Sequence, residues 1–297
     1  GRCLLGEAML ERSRGRASGA IDLYQQARQV MAGIGDAHGL ARAWQGIGEL
    51  TLRHGDLEGA AEALGQATAL FDEAGDRAGA NYCQWLLGET ARLGSDDERA
   101  RQHFEAARRG AVAMGDTAGL GRSHLSLARL RAAQGEWGIA CGHYEAAAGA
   151  FETVEDAVRA AATREELGML ALDQGEYKVA AQSLERALVH VLSSGDEARE
   201  VTLRASLAWA LSGTGEFEAA DGELRSALSL DAQSPVIDDD YARALEGVAT
   251  VEAQRGHADR AVYLLERAIQ IHESLGGGAD VERLRRLLVR VPVGGAR

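Results

Sequence analysis

The sequence predicts an all-α fold, a solenoid of about seven helical hairpins closed by a C-terminal capping helix. Three observations predict it: an alanine that recurs every 40 residues, a second alanine seven residues later, and glycines at half-period spacing. The first alanines are Ala20, Ala60, Ala100, Ala140, Ala180, Ala220 and, one residue late, Ala261. The second are Ala27, Ala67, Ala107, Ala147, Ala187, Ala227 and Ala268. A fixed period of this size is typical of stacked repeat proteins.

One unit, residues 36–75, shows how the hairpin follows from the sequence. Apolar residues recur at three- and four-residue spacing in each half, which predicts two amphipathic helices. Gly55 ends the first half and Gly75 ends the second, as expected where a helix exits through a left-handed residue. Asp36 and Asp56 open the two halves and are expected to cap the helix N-termini.

The same punctuation predicts the domain organisation. Residues 1–276 form the repeat array, and residues 277–297 form the capping helix and a frayed tail from Pro292. Aspartates open the first helices at Asp36, Asp76, Asp116, Asp156 and Asp196, and Glu136, Glu176 and Glu216 are expected to act similarly on second helices. The units are 1–35, 36–75, 76–115, 116–155, 156–195, 196–235 and 236–276. Pro235 marks the most irregular junction.

Small residues are expected where the two helices of a hairpin approach closely. Gly48, Gly88 and Gly168 sit twelve residues before the first alanine of their units. Leu64, Phe104 and Leu184 lie between the two alanines and are expected to fill the space between neighbouring units.

This pattern resembles the tetratricopeptide repeat. The match reads Trp44-x-x-Ile47-Gly48, then Ala60, Leu64 and Ala67, and it recurs through nearly the whole chain. The period of 40 exceeds the usual 34 of the family, as in the long-helix arrays of bacterial STAND-type regulators and quorum-peptide receptors. HEAT and armadillo repeats have a compatible period but lack the alanine register. The resemblance implies a right-handed superhelix.

The resemblance also implies where a partner binds. First helices of the family line a concave groove, through residues six and three before the small residue and one and four after it. The predicted partner-binding groove comprises Arg42, Gln45, Glu49, Tyr82, Trp85, Glu89, Arg92, Arg122, Leu125, Arg129, Glu165, Met169, Trp209, Arg243 and Glu246. Aromatic and arginine side chains often anchor interfaces, which favours a hydrophobic or acidic peptide.

A structural interpretation of the same residues stays open. Trp85 and Trp209 contact the next repeat in this interpretation, and the groove arginines pair with Glu49, Glu89 and Glu165. Trp44 packs inside its hairpin, and Trp137, Tyr177 and Phe217 seal the base of their units.

The amino-acid composition restricts the classes of binding partner. The net charge of −13 argues against direct nucleic-acid or membrane binding, both of which rest on surplus lysine and arginine. No apolar run approaches the roughly 20 residues of a membrane span, so a cytoplasmic location is expected. Three dispersed cysteines favour reduced thiols. A single lysine, Lys178, among many arginines is typical of a GC-rich bacterial genome.

The sequence carries no motif for catalysis, for a cofactor or for a metal. His103 and His143 share a repeat position and are candidates to lie near one another, but no third ligand accompanies them. We therefore expect a non-catalytic scaffold that binds a protein or peptide. Two alternatives remain: a ligand-sensing regulatory region of a larger signalling ATPase or transcription activator, and a self-assembling structural scaffold. The first helix starts truncated, which suggests upstream sequence and further domains of the same parent chain.

Overall fold

Helical hairpins account for nearly all of the secondary structure in the computed structural model, which describes residues 1–291. That range contains fifteen α-helices and no strand. They are α1 Arg2–Ser13, α2 Ala17–Ile34, α3 Ala37–Arg53, α4 Leu57–Glu73, α5 Arg77–Leu93, α6 Asp97–Met114, α7 Thr117–Ala133, α8 Trp137–Thr153, α9 Ala157–Asp173, α10 Tyr177–Ser194, α11 Glu197–Thr214, α12 Phe217–Gln233, α13 Asp239–Gln254, α14 Ala258–Leu275 and α15 Gly278–Arg290. The tail expected from Pro292 lies outside the described residues.

The helices pair as seven consecutive hairpins followed by α15, which confirms the predicted fold class. The chain divides into two compact units, with Glu155 the last residue of the first and Asp156 the first of the second. In the first unit, each helix packs on the next, and the first helices α1, α3, α5 and α7 also contact one another in sequence. In the second unit, α9 contacts α11, α11 contacts α13, and α15 packs on α14 through buried Val281 and Leu284. The division into repeat units at residues 35, 75 and onward stays a prediction.

Aspartate caps hold the starts of the first helices. Asp36, Asp76 and Asp116 each accept a hydrogen bond from the amide three residues later, at 2.8 to 2.9 Å. Asp156 and Asp196 cap in the same way. The prediction for the second helices was wrong in part. Asp56 caps α4, but Glu136, Glu176 and Glu216 occupy the N-cap without a capping hydrogen bond, since glutamate is not among the residues that fit this geometry.

Left-handed residues end the helices as expected. Gly75 has φ +73°, and two non-glycine residues take the same conformation at equivalent places, Ser95 at 59° and Glu155 at 57°. A side chain there costs about 1 kcal/mol or more relative to glycine.

Close approach of helices explains the small residues of the first helices. A Cβ at Gly48 would lie 2.7 Å from Leu64 Cγ, and one at Gly88 would lie 2.5 Å from the ring of Phe104. Leu64 and Phe104 are fully buried. These large residues therefore pack against the first helix of their own hairpin. They also join buried clusters with the next hairpin, Leu64 with Cys83 of α5 and Phe104 with Leu127 of α7, as expected.

The junction between α12 and α13 contains Pro235 and lacks the glycine–aspartate pair. Asp231 is only 6% exposed. Its carboxylate accepts hydrogen bonds from the Arg267 guanidinium at 2.7 and 2.6 Å and from the Val236 amide at 2.9 Å. Burial opposes ionisation of this carboxyl, but the Arg267 and Val236 hydrogen bonds outweigh burial and lower its pKa. A buried ion pair thus ties α12, the junction and α14 together.

None of the helices described is long and apolar enough to cross a membrane.

Candidate functional site

The first-helix face of the first unit gathers three of the predicted groove residues into one cluster. We call the residues of α1, α3, α5 and α7 at the predicted groove positions the first-helix face. Tyr82 and Trp85 on α5 stack with ring centroids 5.6 Å apart and planes 28° apart. The Arg122 guanidinium of α7 lies 5.2 Å from the Tyr82 ring centroid and 5.9 Å from that of Trp85. We call these three residues the aromatic–arginine cluster.

A chain of hydrogen bonds fixes this cluster to the next repeat. The Trp85 indole N–H donates to Ser126 Oγ at 3.0 Å, and the Ser126 hydroxyl donates to Glu89 Oε1 at 2.6 Å. Glu89 also pairs with Arg92 at 2.9 Å. Trp85 is therefore both a contact between repeats, as the structural interpretation expects, and a partly exposed member of the first-helix face.

The Glu49 carboxylate already has interaction partners within the protein. Its residue is 8% exposed, it forms an ion pair with Arg12 of α1, and it accepts a 2.8 Å hydrogen bond from the Gln45 side chain. This arrangement matches the alternative in which arginines pair with groove carboxylates. Arg42 is exposed beside the Met9 sulfur at 3.6 Å, so it is the more accessible cation of this part of the face.

Neighbouring charges act in opposite directions on the pKa of the Tyr82 hydroxyl. Burial raises the pKa of the Tyr82 hydroxyl, and the nearby Glu49 carboxylate raises it further. The guanidinium groups of Arg122 and Arg12 act in the opposite direction. Tyr82 thus stays a neutral hydrogen-bonding group at neutral pH. Leu125 is half-buried and Arg129 is exposed on the same helix as Arg122.

The second unit holds five of the predicted groove residues. Glu165 pairs with Arg199 at 2.8 Å, Glu246 pairs with Arg283 of α15, and Met169 is half-buried. The Trp209 ring packs directly on Gly247 of the following first helix, and Arg243 pairs with Asp173 and with Asp240. Trp209, Arg243 and Glu246 line one cavity of 430 Å³.

Other aromatic residues behave largely as structural elements. Trp44 is half-buried, and the Arg28 guanidinium of the preceding repeat lies 4.5 Å from its ring centroid. Trp44 therefore also contacts a neighbouring repeat and does not pack only inside its own hairpin. The Tyr177 ring packs on Gly213, and Arg255 lies 3.8 Å from the Phe217 ring centroid.

Polar pairs 19 residues apart recur inside the hairpins. His103 Nδ1 lies 2.8 Å from Gln84 Oε1, and His124 Nδ1 lies 2.8 Å from His143 Nδ1. His103 and His143 each contact the first helix of their own hairpin, and their proximity to one another stays a prediction. Among residues 1–291, no group of three or more His, Cys, Asp or Glu side chains could hold a metal ion.

Sequence reasoning missed several members of these sites. Ser126 is one of two buried serines of α7, with Ser123, and serines among the apolar residues of a helix face were a usable signal. Arg283 of α15 is exposed and pairs with Glu246 and with Asp280, which the repeat register did not predict. His272 lines the second-unit cavity, and no sequence pattern marked it.

Comparison with known proteins identifies the class. Residues 125–197 match the model of the Tetratricopeptide repeat family. This match and the helical-hairpin fold together support a tetratricopeptide-repeat protein. No curated protein matched the chain.

Solved structures share the fold. A STAND signal-transduction ATPase with a tetratricopeptide repeat sensor, from Pyrococcus horikoshii, matches with a TM-score of 0.77 at 15% identity over 96% of this chain and 44% of that chain. The apo form of RapI gives 0.63 at 16% identity over 93% and 98%. The Rap conjugation gene regulator of plasmid pLS20, in complex with the Phr* peptide, gives 0.53 at 15% identity over 94% and 75%. At these identities the likeness is one of fold.

Proposed function

We propose that this chain is a non-catalytic scaffold that binds an extended peptide segment of a partner protein along the first-helix face of residues 1–155. The aromatic–arginine cluster carries the proposal. Tyr82, Trp85 and Arg122 are partly exposed, held in place by their own packing, and of the residue types that dominate binding energy at interfaces. A structural neighbour, the Rap conjugation gene regulator in complex with the Phr* peptide, supports the same kind of partner.

The charges of the face favour an acidic or apolar segment. Glu49 and Glu89 already have arginine partners inside the protein, whereas the Arg42 guanidinium is exposed and the Arg122 guanidinium lies beside the stacked rings. A carboxylate of the peptide would meet these arginines, while an apolar side chain would pack on the stacked rings. Glu165, Met169, Trp209, Arg243 and Glu246 occupy the same repeat positions in the second unit, and we propose that they face a ligand of their own.

A peptide-display selection tests this proposal. We expect the purified chain to enrich peptides that contain Asp or Glu beside Leu, Phe or Trp. Arg122→Ala should weaken their binding by about 30-fold, the effect of losing a 2 kcal/mol anchor. Its cost in stability should stay below about 1 kcal/mol, since a half-exposed cation–π contact contributes about that much.

A matched control separates binding from folding. Arg109 lies on α6, a second helix, and is exposed, so Arg109→Ala removes the same charge away from the first-helix face. Binding that is equally strong in Arg122→Ala and in wild type, with both variants folded, would contradict the proposal.

A second candidate is a sensor region of a larger signalling ATPase. The observation that favours it is the STAND ATPase match, which covers 96% of this chain and only 44% of that chain. The neighbouring reading frame of the native gene tests it: a nucleotide-binding domain in the same open reading frame supports this function, and a stop codon directly on both sides opposes it.

A further inference from the structure

The cavity of the second unit has a wall of two aromatic rings. Its volume is 430 Å³, within the range of roughly 300–1,000 Å³ seen for small-ligand pockets. Tyr177 and Trp209 line it, and their rings are fixed because they pack on Gly213 and Gly247. Such rings present a negative π face, which attracts a cation.

Carboxylates outnumber guanidinium groups around this cavity. Arg243 forms ion pairs with Asp173 and Asp240, and Arg283 forms ion pairs with Glu246 and Asp280. Each guanidinium group therefore has two carboxylate partners. Three of the carboxylates line the cavity itself, Glu246, Asp280 and in addition Asp239, against the two guanidinium groups. The surroundings therefore carry a surplus of negative charge that a cationic ligand would relieve and an anionic ligand would increase.

The neighbouring carboxylates affect the pKa of Asp240. Burial raises the pKa of the Asp240 carboxyl, and repulsion from Asp238 and Asp239 adds to the rise despite the attraction of Arg243.

His272 supplies a hydrogen-bond acceptor at the same place. Its residue is 2% exposed, it lines the cavity, and its Nε2 atom is buried without a hydrogen-bond partner. Nδ1 lies 3.5 Å from Asp239 Oδ1, and this carboxylate favours the tautomer with the proton on Nδ1. Nε2 then carries the lone pair, and only a donor group satisfies it. Buried unsatisfied polar atoms are uncommon and costly, and a donor in the cavity satisfies this one when the imidazole turns toward it, since Nε2 itself is buried in this structure.

We propose that this cavity binds an organic cation, an alkylammonium or guanidinium group, with its charge toward Glu246 and Asp239 and its apolar stem on Trp209. The group donates a hydrogen bond to His272 Nε2 after the imidazole turns toward the cavity. The cation comes either from a small amine or from a lysine or arginine side chain of a partner. This proposal is independent of the peptide site in residues 1–155, and Arg122→Ala should leave cation binding unchanged.

Titration of the full chain with three probes tests the proposal and separates the two sources. Agmatine represents the small amines, acetyl-Gly-Arg-Gly-amide represents a peptide side chain, and glutarate carries the opposite charge. The side-chain N–H resonance of Trp209, assigned with Trp209→Phe, reports occupancy. We expect saturable shifts with agmatine or with the peptide, and none with glutarate.

Charge-neutral variants locate the site. Glu246→Gln and Asp239→Asn keep side-chain shape, and each should weaken cation binding by about tenfold. Asp259→Asn on α14 is the matched control, because Asp259 is exposed and does not line the cavity; it should leave binding unchanged. Glu246→Gln also removes the carboxylate partner of Arg283. If this lowers the thermal midpoint of that variant, Asp239→Asn still tests cation binding, because the Asp239 side chain is mostly exposed.

Three results would overturn the proposal: no Trp209 shift with either cation up to about 10 mM, near the weak limit of specific binding; equal binding of glutarate; or wild-type affinity in both charge-neutral variants.

Discussion

Removal of the Asp231 carboxylate should destabilise the second unit far more than removal of an ordinary surface charge. Asp231→Ala deletes two hydrogen bonds from Arg267 and one from the Val236 amide. It leaves the Arg267 guanidinium, whose side chain is 20% exposed, without its carboxylate partner. The irregular junction at Pro235 has no glycine–aspartate pair to take over this role.

The magnitude follows from burial. Breaking a fully buried ion pair costs about 3–5 kcal/mol, and partial exposure of Arg267 places this pair at or slightly below the lower end of that range. We therefore expect Asp231→Ala to lower the free energy of unfolding of the second unit by about 2–3 kcal/mol, and Asp231→Asn by somewhat less because the amide oxygen still accepts from Val236.

Urea unfolding followed by circular dichroism, with amide hydrogen exchange to assign the loss to α12–α14, measures the effect. Hydrogen exchange is needed because repeat arrays do not always unfold in one step. Asp221→Ala is the matched control: Asp221 lies on the same helix and pairs with Arg260, but its side chain is 39% exposed, so its loss should cost less than about 1 kcal/mol.

The pH dependence gives a second check. The folded protein lowers the pKa of Asp231, so its unfolded state binds the proton more readily. This contribution is present above the ordinary aspartate pKa and disappears as pH falls through the lower folded value. Equal losses in Asp231→Ala and Asp221→Ala, with the same acid sensitivity as wild type, would refute the reasoning.

Three further predictions concern the hairpins. Burial, followed by repulsion from His143, lowers the pKa of His124 to about 4. The free energy of unfolding should therefore fall by about 1–2 kcal/mol, after allowance for solvent screening, as the pH drops from about 6.5 toward 4. Urea midpoints at pH 7 and pH 5 measure this loss, and an equal loss in His124→Gln and in wild type would contradict the prediction. Gly88→Ala should cost about 1–3 kcal/mol because its Cβ would meet the buried Phe104 ring, and a thermal midpoint equal to wild type would rule this out. Glu176→Asp should add about 0.5–1 kcal/mol, since Glu176 occupies an N-cap without capping, and a lowered urea midpoint would show that the cap geometry is not reached.

The periodic part of the structure was predictable because it depends on local rules. Helix starts at Asp76 and Asp116, and left-handed ends such as Gly75, follow from backbone geometry that each repeat meets independently. The recurring alanines fix the hairpin register, so every predicted first helix exists. The glutamate caps failed because the longer glutamate side chain does not place its carboxylate at the free amides as the shorter aspartate side chain does.

The candidate site was predictable only as a set of positions. Repeat register placed Tyr82, Trp85 and Arg122 together, because equivalent positions on consecutive first helices are neighbours. Which carboxylates are already paired depends on long side chains that cross between helices, such as those of Arg12 and Arg283. The 40-residue pattern carries no information about these rotamers. His272 joins its cavity through packing of α14 against α13, which no local rule encodes.

The central claim is that the first-helix face of residues 1–155 is the binding surface. Hydrogen exchange of the full chain with and without a display-selected acidic peptide tests it most directly. The account predicts added protection in α3, α5 and α7, greatest around Tyr82 and Arg122, with α4, α6 and α8 unchanged. Protection confined to those second helices, with none in α5 and α7, would contradict it.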